Sequence, residues 1–385
     1  MTASLRGKAA FVGAATGFIS GSAGLTPLEM MAVTARQALD EAGLSIRDVD
    51  GLFVGMQTEF LSTLAFGEYL GIRPRFSDNN RVGGSSFLCH TEQAALALDA
   101  GLCDVALICY GSNQRTALGR LQTSVSGTWS EIEAPYQARF PVSSYALCAA
   151  RHMHEYGTRP EDLANVAVAA RGWAQRNPEA FIRDPLSLED VLASPRVSDP
   201  LGRLDCCLVT DGAAALVMTR ADRARDLARP PVYLLGSAAE HWHKQISSME
   251  DLCVTAATRS SARAYEMAGV ASGDIDVVEI YDAFTISTLM LLEDLGFCPK
   301  GEGGRFISDG AIAPGGSLAV NTNGGGLSCC HPGMYGLFTL VEAVRQLRGD
   351  AGERQVADAE LALCQGSGGA FSSQVTNILG TRAAL

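Results

Sequence analysis

The chain alternates unbroken apolar runs with amphipathic stretches, and it does so twice in the same order. Residues 34–55, TARQALDEAGLSIRDVDGLFVG, read as a helix ending in Ala-Gly, a short turn carrying Asp-x-Asp, and then an apolar run. Residues 260–281, SSARAYEMAGVASGDIDVVEIY, repeat that design. The glycine after each helix suits a left-handed C-cap. An apolar run without alternation predicts a strand buried on both faces. A second pair follows. Residues 81–101 (RVGGSSFLCHTEQAALALDAG) and 323–349 (NGGGLSCCHPGMYGLFTLVEAVRQLRG) each give a Gly/Ser-rich turn, a helix and a glycine stop. Each leads into a strand with a similar end, ALICYGS at 106–112 and LALCQGS at 361–367. The pattern therefore predicts a repeated α/β unit with helices sandwiched between sheets.

Residues 114–200 match neither copy. They hold Trp129, Pro135, Tyr136, Pro141, Pro185 and several arginines, and are read as an inserted loop domain. The strand pattern resumes at RLDCCLVTDGAAALVMTR (203–220), and the charged stretch 221–231 reads as the surface connection between halves. The expected division is 1–113 for the first part of the N-terminal half, 114–200 for the insertion, 201–228 for its closing part, and 229–385 for the C-terminal half.

Composition narrows the function classes. A chain of 385 residues with 47% hydrophobic and 19% charged positions has ample material for a large core. A formal net charge of −12 argues against non-specific binding to nucleic acid or anionic membranes. No apolar stretch of about 20 residues is present to span a bilayer, and the N-terminus does not read as a signal peptide. The 11 cysteines include adjacent pairs, Cys206-Cys207 and Cys329-Cys330, but no CxxC and no Cys/His ligand spacing. No metal site is expected. Most of these thiols read as small buried apolar residues of a reduced, cytoplasmic protein.

Four segments carry a family resemblance. TDGAAALVMT (210–219), EIYDAFT (279–285), NTNGGGLSCCHPGMYGLFTLVEAVRQLRG (321–349) and LCQGSGG (363–369) resemble thiolases, especially the sterol-carrier-protein-x branch. The likeness runs in order along nearly the whole chain. It implies a five-layered αβαβα fold of two similar halves with an inserted loop domain, and at least a homodimer. It also implies four loops meeting at the carboxyl ends of the strands. Counting back from Gly101 along a helix over 87–99 places Ser85 where the family carries its nucleophilic cysteine; a slip of one residue gives Gly84 or Ser86. Cys89 lies about one helical turn further on, as a displaced nucleophile or a cysteine packed inside the helix. Tyr281 replaces the family's His or Asn, and a phenol there can donate to an oxyanion or act as a general acid or base. Asp282 is expected to brace that loop, with Asn321 supporting it. His331 matches the family's histidine. Tyr335 has no clear counterpart and points either into the site or into the core. Gln365 takes the place of the second cysteine or histidine, and Cys364 faces away. Gly368 or Gly369 N–H, with that of Ser85, could form an oxyanion hole. Of His90, His152, His154, His241 and His243, most are expected to be surface or structural residues.

Three functions follow from that set. Serine is a poor substitute for a cysteine thiolate, so the acyl-transfer half of thiolase chemistry is weakened. Enolate stabilisation needs only His331, Tyr281 and backbone amides. Retro-aldol cleavage of a 3-hydroxyacyl-CoA uses that half alone, and the resemblance extends to thiolase-like aldolases of bacterial steroid side-chain degradation. These work with a small zinc-ribbon and OB-fold partner subunit. The alternatives are acyl transfer through Cys89 or Ser85, and a non-catalytic acyl-CoA or lipid-binding subunit. For either reaction a coenzyme A thioester is the substrate, and no cofactor is implied. Residues 114–200 are expected to line the acyl pocket, and Arg115, Arg120, Arg139 and Lys244 are candidates for the CoA phosphates.

Overall fold

The computed structural model describes residues 5–117 and 131–385; Arg120 and Trp129 lie outside them. The first half runs β1 (Ala9–Gly17), α1 (Pro27–Glu41), β2 (Gly51–Val54), α2 (Ser62–Leu70), β3 (Phe76–Asp78), α3 (Ser86–Asp99) and β4 (Val105–Ser112). The stretch expected to be irregular contains three helices, α4 (Val142–Tyr156), α5 (Pro160–Ala174) and α6 (Leu188–Leu192). Its prolines initiate rather than break: Pro160 is the first residue of α5, where its missing N–H costs nothing. The hairpin β5 (Arg196–Ser198) and β6 (Leu201–Gly202) follows, then β7 (Gly212–Arg220) and the short α7 (Ala221–Ala224). The second half runs β8 (Val232–His241), α8 (Ala257–Ala268), β9 (Val277–Ile280), α9 (Thr285–Asp294), α10 (Gly303–Ser308), β10 (Ala319–Val320), α11 (Gly336–Arg348), β11 (Leu361–Gly368) and β12 (Ser373–Gly380).

The ten-stranded sheet has the order β10-β9-β11-β12-β8-β1-β7-β4-β2-β3. It is two five-stranded units of identical topology, joined where β1 and β8 pair at Ala10–Tyr233 and Phe11–Val232. In each unit the two outermost strand pairs are parallel and the rest antiparallel. Helices α3 and α11 pack on strands of both units, whereas α1 packs on the first and α8 on the second. This is the layered α/β arrangement that the family resemblance implies.

The repeated sequence motifs do the same work in both halves. Asp48 accepts from Ser45 N and Asp274 from Ala271 N, each closing the turn after a helix. Asp50 accepts from the backbone of Asp104 and Val105, and Asp276 from that of Glu360 and Leu361. The second aspartate of each Asp-x-Asp thus fastens one strand to the start of its parallel neighbour. Helix α1 opens on a capping box between Thr26 and Glu29 and is followed by Gly43 at φ +70°. Helix α8 ends at Gly269, φ +69°. Among the described residues no helix is long and apolar enough to cross a membrane, and no group of His, Cys, Asp or Glu is placed to hold a metal ion.

Candidate active site

Tyr281 directly follows strand β9, and its position is set by its neighbours. Tyr281 N donates to Gln365 O at 2.9 Å, and Ile280 N donates to the Asn321 side-chain oxygen at 2.6 Å. Asn321 itself sits at φ +51°, a left-handed conformation that asparagine tolerates better than most residues. Asp282 then accepts from Gly326 N at 2.6 Å and Leu327 N at 3.3 Å. Those bonds shape the turn that leads to His331. The far side of the turn is held by Thr210, whose hydroxyl accepts from His331 N, and by Gln114, whose amide donates to His331 O.

These supports bring Tyr281 Oη to 2.9 Å from His331 Nε2, with the rings edge to face. Tyr335 packs edge-on to Tyr281 with centroids 5.8 Å apart, and its hydroxyl donates to Asn323 Oδ1 at 2.8 Å. Burial pushes the His331 imidazole down to about 4, so it is neutral near pH 7. Burial, with Cys207 and Tyr145 nearby, pushes the Tyr281 phenol well above its usual range. The pair is therefore a neutral phenol against a neutral imidazole. Asp282 is raised to about 7 by burial, against the pull of its backbone donors.

Gly84 decides what else can stand beside the pair. A Cβ built at residue 84 would lie within 2.6 Å of Tyr281 Cζ and 2.7 Å of Cδ2. The phenol ring therefore occupies the space into which a side chain at 84 would project. Its neighbour Gly83 needs φ +79° and approaches Gly368 so closely that a Cβ there would lie 2.7 Å from Gly368 Cα. The turn before α3 is thus pressed between Tyr281 and the end of β11.

The second half carries the sequence match expected of such a site: residues 238–381 fit the model described as "Thiolase C-terminal domain-like". The chain is 34% identical over 359 residues to an acetyl-CoA acetyltransferase of Methanothermobacter thermautotrophicus, covering 91% of this chain and 93% of that protein. It is 35% identical over 366 residues to the 17-hydroxy-3-oxo-4-pregnene-20-carboxyl-CoA lyase of Mycobacterium tuberculosis, covering 90% and 92%. The chain belongs to the thiolase superfamily. Among solved structures, one titled "Ltp2-ChsH2(DUF35) aldolase" superposes with a TM-score of 0.89 and 32% identity over 98% of both chains.

Against the expectations for a thiolase-type site, several residues fall elsewhere. Ser85 does not face Tyr281 and His331. Its hydroxyl is buried, donates to Val82 O at 2.9 Å and lies 2.7 Å from Ser373 Oγ. Of the alternatives one residue away, Gly84 is the one that points at Tyr281. The reason is rotational: adjacent residues at a helix start diverge by about 100°. Cys89 is buried inside α3, and burial, with Glu92 and Asp78 nearby, pushes its thiol up to about 12. That disfavours the thiolate a nucleophile needs. The Gln365 side chain is also turned away. Its amide donates to Gln374 and accepts from Thr376, on the strand face opposite Cys364, whose thiol lies against Thr339 O of α11. Tyr335 belongs to both expectations: it is fully buried, yet its ring touches that of Tyr281. Gly368 packs on the α3 turn, and Gly369 (φ +67°) has its carbonyl held by the Tyr145 hydroxyl at 3.0 Å.

Gly84 is one of the two alternatives to Ser85; Gly366, Asn323 and Cys207 are site groups that the sequence did not single out. Gly366 lies against the turn, where a Cβ would be 3.0 Å from Ser85 Cα. Cys207 is half-buried beside Tyr281 and Asp282. The glycine-rich runs signalled Gly84 and Gly366; nothing local signalled Cys207. Of the candidate phosphate-binding cations, Arg115 lies 4.2 Å over the Phe181 ring and Lys244 is exposed. A groove of 880 Å³ lies beside α4, lined by Tyr136, Leu147, Arg151, Ile246 and residues 249–253. Tyr281, His331 and Ser85 do not line it.

Proposed function

We propose that this thiolase-superfamily chain cleaves the C2–C3 bond of a 3-hydroxyacyl-CoA by a retro-aldol reaction. The observation that carries the reading is the Tyr281 ring in the space beside Gly84, hydrogen-bonded to a neutral His331. A glycine there removes the nucleophile, and the phenol puts a proton-transferring group in its place. The lyase and aldolase named among the relatives support the same chemistry.

The steps balance without a covalent intermediate. The substrate's 3-hydroxyl proton passes to the Tyr281 oxygen as the phenol proton moves to His331 Nε2. The C2–C3 pair collapses into the thioester, giving a ketone or aldehyde and a thioester enolate. Donors at the α3 turn and the end of β11 hold the enolate oxygen. The proton on His331 returns through Tyr281 to C2, leaving a shorter acyl-CoA. A phenol pushed above its usual range does not rest as tyrosinate, which is why the adjacent neutral imidazole is the ultimate base.

Steady-state turnover of 3-hydroxyacyl-CoA thioesters tests this directly. Tyr281→Phe, which keeps the ring under Gly84, is expected to lose at least about 100-fold in kcat, the lower end of the range for a general acid–base group. Intact-mass measurement during turnover is expected to show no acyl adduct; an adduct on Cys89 or Ser85 would replace the aldol reading with acyl transfer. We further propose a second copy of the chain on the β3 edge. There β3 is the last strand of the sheet, and Phe60, Leu61 and Leu64 are exposed nearby in sequence. A small CoA-binding partner subunit, proposed on the likeness to the Ltp2-ChsH2(DUF35) aldolase, is tested by co-expression and co-purification.

A further inference from the structure

If Ser85 is not a nucleophile, its buried hydroxyl needs another reason to be there. Its partners give one. Val82 O can only accept, so Ser85 must spend its proton on it. Ser85 then accepts from the Ser373 hydroxyl, 2.7 Å away. Ser373, having donated, must accept from His241 Nδ1 at 2.8 Å. The polarity of the whole chain follows from its last acceptor: His241 Nδ1–H to Ser373, Ser373 to Ser85, Ser85 to Val82 O.

The chain fastens two pieces of the site together. Ser85 and Val82 belong to the turn that presses Gly84 against Tyr281. Ser373 opens β12, opposite Gly368 at the end of β11 and opposite His241 at the end of β8. Between them the connection holds Gly369 at φ +67° and Phe371 at φ +59°. The second is a strained conformation for a phenylalanine and persists only where the surroundings over-determine it. They do: Trp242 N donates to Ser372 O, His243 Nε2 lies 3.0 Å from Ala370 O, and the Tyr145 hydroxyl donates to Gly369 O.

We propose that His241, through Ser373 and Ser85, is a positioning residue that sets the α3 turn and the β11 end against Tyr281. The proposal rests on the retro-aldol reading for its kinetic consequence, but its structural content is independent of the reaction. His241 lies at the exposed end of β8, so its replacement leaves the core intact.

The test has two arms. Selective ¹⁵N-histidine spectra of the full chain, with His241 assigned through His241→Ala, report which ring nitrogen carries the proton. The expected result is Nδ1–H in the wild type and growth of the Nε2–H form in Ser373→Ala. A wild-type Nε2–H tautomer overturns the proposal whether or not the chain is an aldolase. In the kinetic arm, His241→Ala and Ser373→Ala are expected to lower kcat about 10-fold or more with KM little changed, as for a small displacement of reacting groups. His241→Asn, whose amide nitrogen mimics Nδ1, and Ser373→Thr are expected to restore it. Unchanged kcat in His241→Ala, or loss without rescue by the conservative pair, overturns the positioning role.

Discussion

Gly84→Ala is the sharpest perturbation of this site. The added methyl would fall on the edge of the Tyr281 ring, nearest Cε2 and 2.6 Å from Cζ, where ordinary carbon contacts are about 3.5–4.0 Å. Tyr281 must therefore retreat by roughly 1.5–2 Å or the α3 turn must lift by as much. Neither move is free. The ring is fixed by its backbone bond to Gln365 and by its contacts with His331 and Tyr335, and the turn is fixed by Ser85. Overpacking of this kind costs about 1–3 kcal/mol. A displacement of about 1 Å at reacting groups costs about 100-fold in rate. The assay is a double-mutant cycle, with stability from denaturant unfolding and kcat on a 3-hydroxyacyl-CoA. Gly84→Ala is expected to destabilise the wild type by those 1–3 kcal/mol. In a Tyr281→Ala background, where the ring is gone, the same change is expected to be close to neutral. An equal cost in both backgrounds would show that residue 84 does not press on the ring, and the reasoning about the lost nucleophile would fall with it.

Cys89→Ala is expected to leave kcat within about 2-fold, since a thiol pushed up to about 12 supplies no thiolate near neutral pH; a large loss would restore Cys89 as a nucleophile. His90 is fully buried, neither ring nitrogen has a hydrogen-bond partner among the described residues, and burial takes it down to about 3. Its unfolded counterpart takes up a proton below about 6.5, so stability falls as pH drops from about 6.5 to about 3. His90→Phe is expected to flatten that slope by up to about 1.4 kcal/mol per pH unit in urea titrations, and an unchanged slope would contradict the buried neutral imidazole. Asp282→Ala is expected to cost about 2–3 kcal/mol, because Gly326 N and Leu327 N lose their buried acceptor. It should lower kcat as the His331 turn loosens; full activity would separate the turn from catalysis. In the pH profile of kcat/KM, His331 is expected to contribute only as pH approaches about 4, where it takes up a proton, and a limb near 7 belongs to Asp282. A limb near 6.5 that persists in Asp282→Asn would place His331 in an ordinary, solvated environment.

Much of the fold was legible because both halves use the same local physics. A glycine in the left-handed region ends a helix wherever it stands, and an aspartate that caps a turn and fastens a neighbouring strand leaves the same Asp-x-Asp trace twice. The site was legible in part. Tyr281 and His331 could be named because each follows a recognisable strand end or glycine turn. The side chains of Ser85 and Gln365 point one helical or strand step away from the positions the resemblance implies, whereas Cys89 packs inside α3, one of its two readings. A single residue of slip rotates a helix position by about 100° and moves a strand position to the opposite face.

The sequence by itself thus determined the repeat, the elements and the segments that converge, since those depend on periodicity and on residues acting within a few positions of themselves. Only the tertiary structure decided that Gly84 faces Tyr281, that Tyr281 and His331 share a hydrogen bond, and that Ser85 turns to Ser373. Those outcomes depend on where segments some 50, 200 and 290 residues apart come to rest against one another, and distances of a few ångströms between such segments are fixed by the packing of the layers around α3 and α11.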